Sequence, residues 1–188
     1  MCHNEWLSSE NLGLHHENIW LESIRNGGSS FNFTIHSPKE KSMDQKLNCI
    51  MLIDDDEPTN FLSNMIIEEA GCTRRIQIED SVAKAINYLR ISAKPGYGNN
   101  DHPVPDLIFL DINMPAMNGW EFLEKYHKLE NEHLDKIKIV MLTTSLDPDD
   151  IVRAKKIPGV VDFKHKPLTE QILSEVLQEY FSDHFRKP

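Results

Sequence analysis

The residues best equipped for chemistry close short apolar runs. Leu47–Ile53 ends in Asp54-Asp55-Asp56, and Leu107–Leu110 ends in Asp111 with Asn113 just beyond. Ile137–Leu142 ends in Thr143-Thr144-Ser145, and Val160–Phe163 is followed by Lys166-Pro167. Each feature alone has a plain structural reading: an aspartate after a strand often caps a helix, as Asp56 could, and Lys-Pro is common in loops. Together, in this order, they point further. Carboxylates within a few ångströms of one another repel, and a divalent cation removes the conflict. Oxygen donors with no Cys or His among them suit Mg2+ rather than zinc. Such a cation keeps open positions that a phosphoryl oxygen can fill, while an ammonium and a hydroxyl opposite hold the remaining oxygens. The set suits phosphoryl transfer to a carboxylate nucleophile.

The elements that must position these residues follow a regular alternation. After the first apolar run, Asp56 is placed to cap a helix with Pro58 in its first turn. Phe61, Leu62, Met65, Ile66 and Ala70 recur at helical spacing, and Gly71 stops that helix. A short strand is expected near Arg75–Ile78, then a helix capped by Ser81 and carrying Val82, Ala85, Ile86 and Leu89. Residues 92–105, rich in Gly, Pro and Asn, read as a long loop, solvated and without an evident role. Asn118-Gly119 opens a helix with Trp120, Phe122, Leu123 and Tyr126; Asp147-Pro148 opens another through about Lys156; Thr169 caps a last one with Ile172, Leu173, Val176, Leu177 and Phe181. Apolar strands alternating with helices imply an α/β fold with a parallel sheet covered on both faces. Ligands of such sheets sit at the carboxyl ends of the strands, where the residues named above gather.

Composition excludes several classes. The chain has 188 residues, of which 39% are hydrophobic and 27% charged, which suits a folded domain plus a spare segment. No apolar run approaches the roughly 18 residues of a membrane span, and the start, Met1-Cys2-His3-Asn4-Glu5-Trp6, lacks the order of a secretion signal. A cytoplasmic location is the default expectation. A net charge of −10 repels phosphate backbones and argues against direct nucleic-acid binding. Cys2, Cys49 and Cys72 are scattered and give neither a disulfide framework nor a zinc site. The His15-His16 pair lacks the i, i+4 spacing of a metal motif.

At these residues the chain resembles the receiver domain of two-component response regulators. The matching segments are Leu52-Ile53-Asp54-Asp55-Asp56, Leu110-Asp111-Ile112-Asn113-Met114-Pro115 with Asn118-Gly119, Met141-Leu142-Thr143-Thr144, and Phe163-Lys164-His165-Lys166-Pro167-Leu168-Thr169. The resemblance implies a doubly wound, flavodoxin-like sheet of five parallel strands in the order 2-1-3-4-5. It makes Asp111 the phosphoryl acceptor, with Mg2+ held by Asp55 and Asp111, by Asp54 through water, and by the Asn113 carbonyl. Thr143 would hydrogen-bond the phosphoryl group and Lys166 would pair with it. Phe163 takes the place of the family's switch aromatic, and Pro167 stands where the family often has a cis bond. Thr144 departs from the small residue usual there, and its bulk would slow access to Asp111. The implied partner is a histidine kinase or histidine phosphotransfer protein on one side and a downstream protein on the other.

Two other readings compete. An aspartyl-phosphate phosphatase would need an acid two residues after Asp111, where Asn113 stands. An interaction module that is never phosphorylated would have no need of Asp111 and Lys166 together. No stretch after the last helix is long enough for an output domain of ~60 residues. Output through protein contact or onward phosphotransfer is therefore expected, without enzymatic action on a separate substrate.

Residues 1–46 read differently from the receiver at 47–185. They are polar, and Ser37-Pro38-Lys39-Glu40-Lys41-Ser42 reads as a linker. Ile19–Ser23, Gly27-Gly28-Ser29-Ser30 and Phe31–Ile35 read as strand, glycine turn, strand. With Leu12-Gly13-Leu14 this stretch resembles the C-terminal tail of a histidine-kinase ATP-binding domain. It lacks the nucleotide pocket, so no ATP binding is implied. The chain is then the C-terminal fragment of a hybrid histidine kinase, or a receiver preceded by a poorly ordered remnant, with Met43 as a functional start. An isolated hairpin is marginal in water, so a chain beginning at Met43 is expected to keep the fold, Mg2+ affinity and phosphorylation. A large drop in melting temperature would show instead that the segment packs on the domain.

Overall fold

A computed structural model describes residues 19–24, 28–33, 46–94, 102–129, 134–144 and 148–182. The chain divides into two compact units, Met1–Glu40 and Lys41–Pro188. The first holds β1 (Ile19–Ile24) and β2 (Gly28–Phe33), an antiparallel pair with Ile19 opposite Phe33 and Ile24 opposite Gly28. The glycine turn was expected at residues 27–30, but Gly28, Ser29 and Ser30 belong to the ladder, paired with Ile24, Ser23 and Glu22. The His15-His16 pair, Ile35, the linker at 37–42, Ser145 and Asp147 lie outside the described residues. So does the expectation of poor order in 1–46, apart from these two strands and Lys46.

The second unit holds β3 (Ile50–Ile53), α1 (Glu57–Ala70), β4 (Ile76–Glu79), α2 (Val82–Ser92), β5 (Leu107–Leu110), α3 (Gly119–Tyr126), β6 (Lys138–Thr143), α4 (Pro148–Ala154), β7 (Val160–His165) and α5 (Glu170–Tyr180). All five strands pair in parallel, in the order β4-β3-β5-β6-β7, which is the 2-1-3-4-5 order within this unit. Successive side chains of a strand point to opposite faces, and each face carries its own core. Met51, Ile53, Ile108, Leu110, Ile139 and Met141 meet α2 and α3 through Ala85, Leu89, Phe122 and Leu123. Ile50, Leu52, Leu107, Phe109, Val140 and Leu142 meet α1 and α5 through Ile67, Leu173, Val176 and Leu177. Burial on both faces is why these strands read as unbroken apolar runs.

The first strand is shorter than the Leu47–Ile53 run. Leu47 makes only an isolated bridge to Thr73, and the Asn48 and Cys49 amides donate to the Asp106 carboxylate at 2.5 and 3.3 Å. β4 is displaced by one residue from Arg75–Ile78, and β7 runs past Phe163 to His165. The ladder between β6 and β7 is carried one step further by the Lys166 amide, which donates to the Thr143 carbonyl at 2.9 Å. Of the loop expected at 92–105, Ser92 is the last residue of α2 and residues 95–101 lie outside the described residues; at its far end the Tyr88 hydroxyl donates to the Pro103 carbonyl at 2.9 Å, with His102 beside the Tyr88 ring.

Helix ends follow the capping residues. Asp56 accepts from the Thr59 amide at 2.9 Å and Gly71 closes α1 at φ 55°, a left-handed conformation that glycine adopts freely. Thr169 accepts from Ile172 at the start of α5, and Asn118 and Glu121 form a reciprocal capping box on α3. Ser81 occupies the cap position of α2 without a side-chain bond to it. The apolar stripe expected on α1 is split: Ile66 and Ala70 are partly buried against the core, while Phe61 is 63% exposed and Leu62 and Met65 are also exposed, and the fully buried positions are Asn60, Ser63 and Ile67. Among the described residues, no helix is long and apolar enough to cross a membrane.

Gly119 is required by proximity. A Cβ built there would lie 2.5 Å from the Asp111 carbonyl oxygen and 3.0 Å from the Ile112 Cα. Both are backbone atoms and cannot swing aside. Gly119→Ala is expected to cost about 1–3 kcal/mol, read as a lower denaturation midpoint at unchanged m-value.

Candidate functional site

The acidic residues converge because β3 and β5 are neighbours in register. Ile53 lies opposite Leu110, so the next residues, Asp54 and Asp111, emerge side by side. Asp55 follows on the exposed side of the same turn. One carboxylate oxygen from each of Asp54, Asp55 and Asp111 falls within 4.8 Å of the others, a donor set that could hold a metal ion. Asp54 and Asp111 are 6% and 5% exposed, so their charges cannot be left to water. β6 and β7 supply what sits beside them. Thr143, fully buried, ends β6, and Lys166 follows β7 with its Nζ 2.5 Å from Asp54 Oδ2 and 2.9 Å from Asp111 Oδ2.

Each buried carboxylate has one oxygen on the ammonium and the other on a backbone amide two residues on. Asp54 Oδ1 accepts from Asp56 at 3.0 Å, and Asp111 Oδ1 accepts from Asn113 at 3.2 Å. Burial pushes the Asp54 carboxyl above its ordinary value, although Lys166 and the Asp56 amide pull against it. Burial acts to lower the Lys166 ammonium, but its bonds to Asp54 and Asp111 outweigh that and hold it above the usual lysine value. Both shifts are upward, so both make stability fall as pH rises, each in its own window. A raised carboxyl favours the folded state only while protonated, so stability falls as pH rises through the Asp54 window. A raised ammonium favours the folded state below the ordinary lysine value, and that contribution is lost as pH rises through the folded one.

Asp56 stands apart from this cluster. Its carboxylate accepts from the amide and hydroxyl of Thr59, which hold it below the usual range as the cap of α1. Asn113 is exposed, on a turn where Ala116 takes φ 64°. Phe163 lies opposite Met141 on β7, half-buried against the α2–α3 core and edge-on to His165. The Lys166–Pro167 bond is cis. One contributor escaped the sequence reading: Asn60, on the buried face of α1, donates its Nδ2 to the Asp54 carbonyl at 2.7 Å. Its only sequence signal is a polar residue in step with Ser63 and Ile67.

The doubly wound parallel sheet thus carries an acidic, lysine-clasped crevice at its carboxyl edge, where α/β sheets of this class bind their ligands. The family model described as "Response regulator receiver domain" matches residues 50–178. The "Probable methanogenesis regulatory protein FilR2" of Methanothrix harundinacea is 30% identical over 142 residues, covering 74% of this chain and 86% of that protein. "Hybrid signal transduction histidine kinase C" of Dictyostelium discoideum is 30% identical over 135 residues; the match covers 70% of this chain but only 10% of that protein. A two-component response regulator of Cytophaga hutchinsonii superposes with TM-score 0.63 at 33% identity, covering 73% of this chain and 98% of that one. The chain belongs to the response regulator receiver domain family. It is a phosphoacceptor receiver of two-component signal transduction, a class whose members interact with histidine kinases or phosphotransfer proteins.

The clasp makes a test. Lys166→Met leaves two buried carboxylates facing each other without their cation, which is expected to cost about 3 kcal/mol at pH 7 in metal-free buffer. The loss should shrink toward pH 4 as the raised Asp54 carboxyl protonates. Chemical denaturation at the two pH values reads the difference.

Proposed function

We propose that Asp111 accepts a phosphoryl group from a histidine kinase or histidine phosphotransfer protein, and that the modified domain presents an altered surface to a downstream protein. The observation that carries this reading is the placement of Lys166 against both Asp54 and Asp111 at the carboxyl ends of adjacent strands. In the transfer, an Asp111 oxygen bonds to phosphorus. The bond from phosphorus to the donor nitrogen breaks, and its electron pair leaves with the imidazole. Asp54, Asp55 and Asp111, with the Asn113 carbonyl, would hold Mg2+, which supplies charge neutralisation for the phosphoryl oxygens. Lys166 pairs with one of those oxygens and the Thr143 hydroxyl donates to another, so both stabilise charge that grows during transfer. The chain acts on its own aspartate and on no separate substrate. Its setting is the cytoplasm, where such donors are found.

Once Thr143 is drawn to the phosphoryl group, the space it leaves lets Phe163 turn inward, which re-shapes the surface of α4, β7 and α5. The N-terminal pair β1–β2 is a remnant of a kinase ATP-binding domain. The receiver at 47–185 functions without it.

Incubation with acetyl phosphate and Mg2+ is expected to give an acid-stable, base-labile adduct on the wild-type chain and none on Asp111→Asn. Asp55→Asn should weaken Mg2+ binding, and Thr143→Ala should still be labelled but lose phosphorylation-dependent partner binding. Labelling of Asp111→Asn at the wild-type rate overturns the acceptor assignment, and partner binding unaltered in Thr143→Ala overturns the switch.

A further inference from the structure

Asn60 lies on the inward face of α1, 7% exposed, where the sheet beneath it offers Leu52, Phe109 and Leu142. An apolar residue would suit that position better, as Ile67 does two turns on. Asn60 instead brings a buried amide whose Oδ1 has no hydrogen-bond partner among the described residues. Its Nδ2 donates to the Asp54 carbonyl at 2.7 Å. With Asp54, Asp111 and Ser63 it lines a small cavity directly behind the acidic cluster.

The target of that donor gives the polar group its purpose. The Asp54 carbonyl belongs to the peptide plane that joins Asp54 to Asp55. Rotation of that plane would change where Asp55 points relative to Asp54, because a peptide unit turns as one rigid body. Asp54 must face inward to meet Lys166, and Asp55 must face outward while keeping an oxygen within reach of the other two carboxylates. A hydrogen bond from a helix packed on the sheet holds that plane from behind.

We infer that Asn60 is a positioning residue for the cation site: it locks the Asp54–Asp55 peptide so that both carboxylates converge with Asp111 on one divalent cation. This rests on the metal assignment of the proposed function. Outer partners that orient metal ligands typically change affinity about 10- to 100-fold when removed, whereas a residue that merely fills space changes melting temperature and leaves affinity alone.

The test uses the full chain and Mg2+ alone, titrated by calorimetry, with melting in EDTA as the check on folding. Asn60→Leu keeps the shape and removes the donor; Asn60→Ala does so with less bulk and serves if the first variant does not fold. Both are expected to lose about tenfold or more in Mg2+ affinity. Ser63→Ala, in the same cavity without a bond to Asp54 described, is expected to keep wild-type affinity. Unchanged Mg2+ affinity in a folded Asn60 variant overturns the inference, as does an equal loss in Ser63→Ala. A wild-type chain that binds no Mg2+ overturns the metal assignment itself, a failure visible before any variant is read.

Discussion

The clasp of the Lys166 ammonium across Asp54 and Asp111 is the interaction on which the second unit depends. Two carboxylates removed from water and set side by side would drive the ends of β3 and β5 apart. Those strands are central in the sheet, so their separation would open both cores at once. Lys166 can reach them only because β7 runs to His165 and the Lys166 amide continues the ladder onto Thr143. The sheet thus delivers the cation that its own acidic edge requires. A single ammonium against three clustered aspartates leaves net negative charge, and that residual charge is what makes the crevice receptive to a metal ion.

Most of this was legible in the residues. Strands apolar on both faces announce a covered parallel sheet, and an aspartate, threonine or lysine at the end of each run marks its carboxyl edge. Helix limits followed Asp56, Gly71, Asn118 and Thr169 because capping is local chemistry, set by a side chain and an amide a few residues away. What periodicity could not give was direction. Of the residues that recur at helical spacing on α1, Ile66 and Ala70 meet the core while Phe61, Leu62 and Met65 face outward, since spacing identifies a broad stripe but not which edge of it meets the sheet. Strand limits slipped for a similar reason. Asn48 and Cys49 look like strand residues, but their amides are taken by Asp106, a partner distant in sequence.

The site was legible in composition and less so in support. Asp54, Asp55, Asp111, Thr143 and Lys166 arise from the motif order, and the fold brings them to one edge. The groups behind them are set by contacts that form only once the helices pack on the sheet. Asn60 touches a backbone carbonyl, and Gly119 is fixed by the approach of another backbone carbonyl. Contacts to main-chain atoms leave no complementary residue in the sequence to betray them.

The uneven burial of the acidic cluster separates the kinetics of an incoming cation from the strength with which it is held. Asp55 is open to solvent while Asp54 and Asp111 are sunk beside Lys166. The exposed charge is the one felt at a distance and the one screened by dissolved salt. The buried pair lies in a medium where screening hardly reaches. For a cation held by this set, ionic strength would act mainly on how fast it arrives, and the geometry of the two sunken carboxylates on how long it stays.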